Sequence, residues 1–86
     1  MKKNFNGLHV LLYARVSSDK QAHYWDSLEY QIECEREYCK NRNHIINWEY
    51  KDSYTGMSIN RPKFQQLKKD IVLFRKQWIV IDAVII

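Results

Sequence analysis

Three strand-like apolar segments alternate with two segments of helical period, and this order constrains the fold more than any other feature. The first strand is predicted at residues 9–16, where β-branched and aromatic residues place apolar side chains on both faces. A helix is predicted up to about residue 43, a second strand at 45–51, a second helix from Pro62 and a fully buried third strand at 78–86. The alternation predicts an α/β fold, in which a parallel sheet is flanked by helices through right-handed crossovers.

The beginnings of both helices are marked in the sequence. Asp26-Ser27-Leu28-Glu29 has the cap residue and the following acid of a capping box, so the first helix is predicted to start there. Arg61-Pro62 is predicted to open the second helix, because proline is tolerated in a first turn. Apolar residues recur at helical spacing in both segments. They are Leu28, Ile32 and Cys39 in the first, and Phe64, Leu67, Ile71 and Phe74 in the second.

Length and composition indicate one small folded domain. The chain has 86 residues, of which 45% are hydrophobic, and its net charge of +4 permits a polyanionic partner without requiring one. Cys34 and Cys39 fall on different faces of the predicted helix, which favours reduced thiols in a cytoplasmic protein over a disulfide or a shared metal. No secretory leader is recognisable, and the longest apolar run is too short to span a membrane.

Candidate chemistry lies after the first strand. Ligands of parallel sheets gather beyond the carboxyl ends of the strands, here the loops at 17–25 and 52–60. Arg15 and Ser17 are two residues apart, so both side chains lie on the same face of the strand. A guanidinium beside a hydroxyl forms a phosphate clamp. The alternative is an ordinary strand end without a function.

Further polar residues are expected at the same edge of the sheet. Asp52, Arg61 and Lys63 follow the second strand, and a second arginine there strengthens a phosphate site. The alternative is that Asp52 caps a turn and Arg61 is a solvated residue of the first helical turn. By default Gln21 and Gln31 are surface amides.

Other chemistries lack their characteristic motifs. No glycine-rich phosphate loop follows the first strand, which argues against nucleotide binding of the Rossmann or P-loop kind. His9, His23 and His44 are dispersed, and none has metal-ligand spacing with a cysteine. A serine hydrolase needs a base near Ser17, for which His23 is the only candidate in the same loop.

Four motifs in order carry a family resemblance. They are Tyr13-Ala14-Arg15-Val16-Ser17, then Ser27-Leu28-Glu29-Tyr30-Gln31, then Tyr50-Lys51-Asp52 with Thr55-Gly56, and then Arg61-Pro62 with Phe64 and Leu67. Together they resemble the serine recombinases, in their resolvase, invertase and large integrase branches. The resemblance implies a flavodoxin-like catalytic domain that cuts and rejoins DNA without a metal, a cofactor or an external energy source.

The resemblance also implies roles for individual residues. Ser17 matches the nucleophile, which forms a 5′-phosphoserine link to DNA and leaves a free 3′ hydroxyl. Arg15 and Arg61 match arginines around the scissile phosphate, and Asp52 matches an acid that holds the arginines in place. Gln21 and Gln31 match amides that order the site, and Lys63 is expected beside the DNA phosphates.

The sequence departs from the family after the third strand. The family continues into an Asp-Arg-x-x-Arg segment, whereas Ile81-Asp82-Ala83-Val84-Ile85-Ile86 precedes that motif. The long dimer helix and the DNA-binding region are absent as well, and residues 72–80 are longer and more apolar than the usual turn. We therefore expect a single domain over residues 1–86, the truncated N-terminal part of a resolvase-type catalytic domain and inactive alone.

Two classes of function remain open from the sequence. The first is a fragment of a recombinase with DNA as its partner, which self-associates as a dimer, and as a tetramer in the full-length parent. The second is a catalytically dead remnant, or a small phosphate-, DNA- or protein-binding module of the same fold. A phosphate-ligand or response-type domain is a third reading. The coding DNA downstream of Ile86 discriminates the first two, since only an active parent needs the Asp-Arg-x-x-Arg segment.

Overall fold

The computed structural model describes residues 6–17, 27–54 and 61–86. These residues form three strands and two helices in the predicted order, which confirms the β-α-β-α-β prediction. The elements are β1 (His9–Ser17), α1 (Leu28–Asn41), β2 (Ile45–Tyr54), α2 (Pro62–Lys76) and β3 (Ala83–Ile85).

The three strands form one parallel sheet in the order β2-β1-β3. β1 is the central strand, and this position explains why apolar residues occupy both of its faces. Its pairing with β2 is irregular after Val10, where Asn47 is the extra residue of a bulge. Beyond the bulge the register is regular, with Arg15 opposite Asp52 and Ser17 opposite Tyr54.

Each face of the sheet carries one helix and one apolar cluster. On the α1 side, Val10, Leu12 and Ala14 of β1 pack with Ile32 and Cys39. On the α2 side, Leu11 and Tyr13 of β1 pack with Tyr50 and Leu67. Because side chains alternate along a strand, Arg15 and Ser17 lie on the α2 side together with Leu11 and Tyr13. Neither helix in the described ranges has the length and apolar character needed to cross a bilayer.

Polar side chains fasten both helices to β2. The Arg36 guanidinium of α1 binds Glu49 through two contacts of 2.6 Å, a paired geometry that suits a carboxylate. On the opposite face, the Tyr50 hydroxyl donates to Asp70 of α2 at 2.7 Å. The two helices are thus held to opposite faces of the same strand.

The start of α1 differs in detail from the prediction. Ser27 is the cap residue, and its hydroxyl accepts from the Tyr30 backbone N–H at 3.1 Å. A capping box requires an acid at the third residue of the helix. Tyr30 occupies that position, and Glu29 lies one residue before it. The predicted capping box was wrong, although a serine cap starts the helix where the sequence indicated.

The prediction of a fully buried strand at residues 78–86 was wrong. β3 contains only Ala83–Ile85, all half-buried, while Trp78, Val80 and Ile86 are 94%, 67% and 83% exposed. Residues 77–82 form the turn that ends α2 and the approach to the sheet. Asp82 makes hydrogen bonds to β1: its backbone N–H donates to the His9 carbonyl, and its carboxylate accepts from the His9 N–H.

Candidate active site

Asp52 lies at the carboxyl edge of the sheet, on the α2 side of β2, and is 3% exposed. Its carboxylate accepts three hydrogen bonds. The Tyr13 hydroxyl donates to Oδ2 at 2.8 Å, and the backbone N–H groups of Lys63 and Phe64 donate to Oδ1 and Oδ2 at 3.0 Å. These three donors satisfy a carboxylate that would otherwise be costly to bury.

Through these bonds Asp52 caps α2 from another element of the chain. Arg61 holds the cap position of α2, and its own side chain makes no capping bond. Lys63 and Phe64 are the second and third residues of the helix, the positions that a cap side chain normally serves. The negative charge also lies at the positive end of the helix dipole. Asp52 thereby sets the place at which α2 begins and hence the place of Arg61.

The Arg61 guanidinium lies over two aromatic rings. Its central carbon is 4.7 Å from the Phe64 ring centroid and 5.6 Å from that of Tyr13. These contacts are cation–π interactions. Within the described ranges, Arg61 Nε is buried and donates to no protein acceptor. Among the described residues, no ion pair joins Arg61 to a carboxylate, so this cationic donor lies at the sheet edge without an acidic partner from that part of the chain.

Tyr13 connects the two charged groups. Its ring packs edge-on against Phe64 and lies beside the Arg61 guanidinium, and its hydroxyl donates to Asp52. Burial raises the pKa of the Tyr13 phenol, the hydrogen bond to Asp52 raises it further, and Arg61 opposes both. The phenol therefore stays neutral and serves as a donor to the carboxylate.

β1 ends beside this group with Arg15 and Ser17. Arg15 is half-buried, and Ser17, the last residue of the strand, is 9% exposed. Gln31 of α1 donates from Nε2 to the Arg15 backbone carbonyl at 3.3 Å. The amide thus fastens the end of β1 to the helix on the other face of the sheet.

The Resolvase N-terminal domain family model matches residues 10–84, which include all five elements. This chain belongs to the resolvase N-terminal domain family. A search of curated proteins finds no significant match. The match confirms the predicted resemblance and the resolvase-like α/β fold.

The resolvase domain brings together most of the residues predicted for its site. Arg15, Ser17, Asp52 and Arg61 all lie at the edge where β1 and β2 end and α2 begins. The backbone N–H of Lys63 donates to the Asp52 carboxylate, and Lys63 also lines a groove along the outer edge of β2. Gln21 lies outside the described residues.

One residue of this group was not singled out from the sequence of the resolvase domain. Tyr13 was noted only as part of a motif, yet it contacts Asp52 and the rings beside Arg61. The indication was present, because Tyr13, Arg15 and Ser17 share one face of a strand by their spacing of two. The alternative of a solvated Arg61 is less favoured, because the residue is half-buried and its guanidinium packs on the rings of Phe64 and Tyr13.

Proposed function

We propose that these residues are the N-terminal part of the catalytic domain of a site-specific serine recombinase that acts on DNA. Ser17 is the nucleophile, and Arg15 and Arg61 bind the scissile phosphate. The family membership supports the reaction class, and the arrangement at the sheet edge supports the assignment of residues.

The proposed reaction is a transesterification. The Ser17 hydroxyl oxygen attacks the phosphorus of a DNA phosphodiester, the bond from phosphorus to the 3′ oxygen breaks, and the serine proton ends on that oxygen. The products are a 5′-phosphoserine and a free 3′ hydroxyl. One phosphate ester replaces another, so the reverse attack by a 3′ hydroxyl rejoins the strand.

The cationic groups supply the electrostatic part of this step. Negative charge builds on the phosphate oxygens as the new bond forms, and guanidinium donors placed beforehand stabilise it. Arg61 carries a buried Nε donor that meets no protein acceptor in the described part of the chain. Arg15 reaches the same edge from β1, which pairs with β2 in register at Asp52.

The anchoring of α2 by Asp52 carries this proposal most directly. Three hydrogen bonds hold the carboxylate between Tyr13 and the first turn of α2. This arrangement positions Arg61 without neutralising it by a direct ion pair among the described residues. Asp52 acts through the helix and is a positioning residue. Gln31 is also a positioning residue, because its amide donates to the Arg15 backbone carbonyl. We extend this role to Gln21 from the family resemblance.

The proposed active site is completed outside these 86 residues. The family resemblance places an Asp-Arg-x-x-Arg segment after the third strand, and the two arginines here are then only part of the cationic surroundings. We propose that a DNA-binding region and a dimer helix follow in the parent protein, and that this chain alone does not recombine DNA.

A binding module without catalysis is the second candidate. The observation that favours it is the 9% exposure of Ser17, since a nucleophile must reach a phosphorus atom. Under the catalytic proposal, DNA binding has to open the edge around Ser17. The two candidates share the phosphate contacts and differ in whether a covalent link forms.

An NMR titration with a short DNA duplex tests the phosphate contacts in this chain. We expect amide shifts at residues 15–17 and 61–64, with non-specific affinity of roughly 10⁻⁴ M or weaker that falls steeply with salt. Arg61→Gln should reduce the shifts at both segments.

The matched control is Arg42→Gln. Arg42 lies at the other end of the sheet, with its guanidinium 3.7 Å from the Tyr38 ring centroid. If Arg42→Gln weakens binding as much as Arg61→Gln does, or if the shifts avoid both segments, the phosphate site is placed wrongly. Nanomolar sequence-specific binding by this chain would also contradict the proposal.

A further inference from the structure

Phe64 carries a second cation besides Arg61. The Lys68 Nζ atom lies 5.5 Å from the Phe64 ring centroid, and the central guanidinium carbon of Arg61 lies 4.7 Å from the same centroid. Both distances are in the range of cation–π contacts. The two cationic groups are therefore no further apart than the sum of these distances. The proposed reaction assigns no role to Lys68.

Helical spacing explains why the two cations share one ring. Phe64 follows Arg61 by three residues and precedes Lys68 by four, so the three residues lie along one stripe of α2. Side chains of a helix lean towards its N-terminus. Lys68 thus brings its ammonium group back from the second turn to the level of Phe64, near the edge of the sheet where α2 begins.

The acids nearest to this stripe in the chain are already engaged. Asp70 is the single acid of α2, and its two carboxylate oxygens accept from the Tyr50 hydroxyl at 2.7 Å and the Gln66 amide at 2.8 Å. The Asp52 carboxylate accepts from its three donors. Within the described ranges, neither cation on the ring makes an ion pair.

The ring that holds the cations is itself fixed. Phe64 is half-buried and packs edge-on against the buried Tyr13 ring, with the two centroids 5.2 Å apart. Two cations that share one ring repel each other, whereas an anion that lies beside both is attracted by both. The aromatic pair therefore holds two positive charges at one place before any ligand arrives.

We propose that Lys68 contacts a DNA phosphate adjacent, on the same strand, to the phosphate that Arg61 binds, and that Phe64 positions both cations. This inference rests on the proposed function, because the phosphate at Arg61 is its reference point. A DNA strand carries one negative charge at every nucleotide, so a phosphate flanks the scissile one on each side. The Lys68 contact orients the strand without reading its sequence.

The salt dependence of DNA binding tests the Lys68 contact. NMR titrations of this chain with a short duplex at several salt concentrations give the slope of log affinity against log salt concentration. Each phosphate contact contributes about 0.9 to the magnitude of that slope. Lys68→Gln should therefore weaken binding several-fold and make the slope shallower by about 0.9, whereas Lys68→Arg keeps the charge and should retain the slope.

The matched control is Lys69→Gln. Lys69 is the next residue of α2, it is also exposed, and its replacement changes the net charge equally, but it lies off the stripe of Phe64. Lys69→Gln should leave the slope as in the wild type. If the two glutamine variants change the slope equally, only the net charge matters and the inference is wrong.

Phe64 variants test the positioning role. Phe64→Leu keeps an apolar side chain but removes the ring, so it should weaken DNA binding at least as much as Lys68→Gln, while Phe64→Tyr should bind like the wild type. The ring current of Phe64 should also shift the ε-methylene protons of Lys68 upfield, and this shift should disappear in Phe64→Leu alone. Wild-type binding by Phe64→Leu would overturn the positioning role.

Arg61→Gln separates this inference from the proposed function. If Arg61→Gln weakens DNA binding and Lys68→Gln leaves both affinity and slope unchanged, the Lys68 contact is wrong and the phosphate site at Arg61 stands. If neither substitution changes binding, the phosphate site itself is wrong, and the inference fails with it.

Discussion

The Tyr13 hydroxyl donates to the Asp52 carboxylate at 2.8 Å, and this bond joins the central strand to its neighbour at the edge where α2 begins. The same carboxylate accepts the backbone N–H groups of Lys63 and Phe64. One buried acid, Asp52, therefore links β1, β2 and α2. Arg61 lies at the start of α2, the helix that Asp52 caps. Stability and the position of the proposed phosphate contact depend on the same residue.

Replacement of Asp52 should be strongly destabilising. Asp52→Ala removes a helix cap and leaves a buried hydroxyl without its acceptor, so we expect a loss of about 2–4 kcal/mol in the free energy of unfolding. Asp52→Asn keeps one acceptor oxygen and should lose less. Urea denaturation followed by circular dichroism measures both. An alanine variant as stable as the wild type would show that Asp52 does not anchor α2.

Tyr13→Phe tests the Tyr13 hydroxyl alone, because the substitution removes only that group. The ring contacts with Phe64 remain and Asp52 keeps its two backbone donors, so we expect a loss of only about 1 kcal/mol. In a double-mutant cycle with Asp52→Asn, the two losses should not add, because the residues share one hydrogen bond. Additive losses in urea denaturation would contradict the coupling.

Glu35 should make stability fall as pH rises towards neutrality. Burial raises the pKa of Glu35 to about 7 from 4.5, a backbone hydrogen bond at Tyr13 opposes this, and the Glu49 charge adds to it. The folded chain holds the proton more tightly than the unfolded chain. Its stabilisation is therefore full below pH 4.5 and is lost as pH rises to about 7. We expect a change of roughly 1–3 kcal/mol.

Glu35→Gln supplies the control for this pH dependence. The amide does not titrate, so the decline between pH 4.5 and about 7 should largely disappear in urea denaturation. Glu49 acts in a different window, because the hydrogen bond from Arg36 lowers its pKa and its contribution is lost only as pH falls below 4.5. An unchanged decline in Glu35→Gln would assign it to another group.

Asn43, just after α1, and Trp78, just after α2, both have a positive φ, so the two helix ends offer a matched comparison. Trp78→Gly relieves the strain at the end of α2 without losing buried area, so we expect a gain of about 1 kcal/mol in the free energy of unfolding. Asn43→Gly should change stability by only a few tenths, since asparagine already tolerates the conformation. Equal effects at both sites in thermal denaturation would contradict the strain argument.

The sequence predicted the fold where the pattern depends on burial. The apolar residues on both faces of β1 required two covering layers, and the helical spacing of Phe64, Leu67 and Ile71 required one apolar helix face. It failed at residues 78–86, because an apolar composition does not distinguish a buried strand from a helix end whose tryptophan faces solvent. β3 pairs with β1 over only three residues, Ala83–Ile85.

The site was predicted as a set of residues rather than as a set of contacts. Spacing placed Arg15 and Ser17 on one face, but no local pattern shows that Asp52 accepts hydrogen bonds from the α2 backbone, 11 and 12 residues further along the chain. Glu35 was missed for another reason. It was grouped with neither helix face, although it follows Ile32 by three residues and precedes Cys39 by four, and thus belongs to the buried stripe.

The covalent adduct between protein and DNA tests the proposed nucleophile most directly. In a parent protein that carries these residues together with the Asp-Arg-x-x-Arg segment, a nicked or suicide recombination site should trap a 5′-phosphoserine link. Ser17→Ala should abolish the adduct and Ser18→Ala should retain it, because Ser17 shares the face of Arg15 by the two-residue period of β1 and the family resemblance assigns the nucleophile to the same residue. An adduct that persists in Ser17→Ala would contradict the assignment of Ser17 as the nucleophile and, with it, the proposed active site.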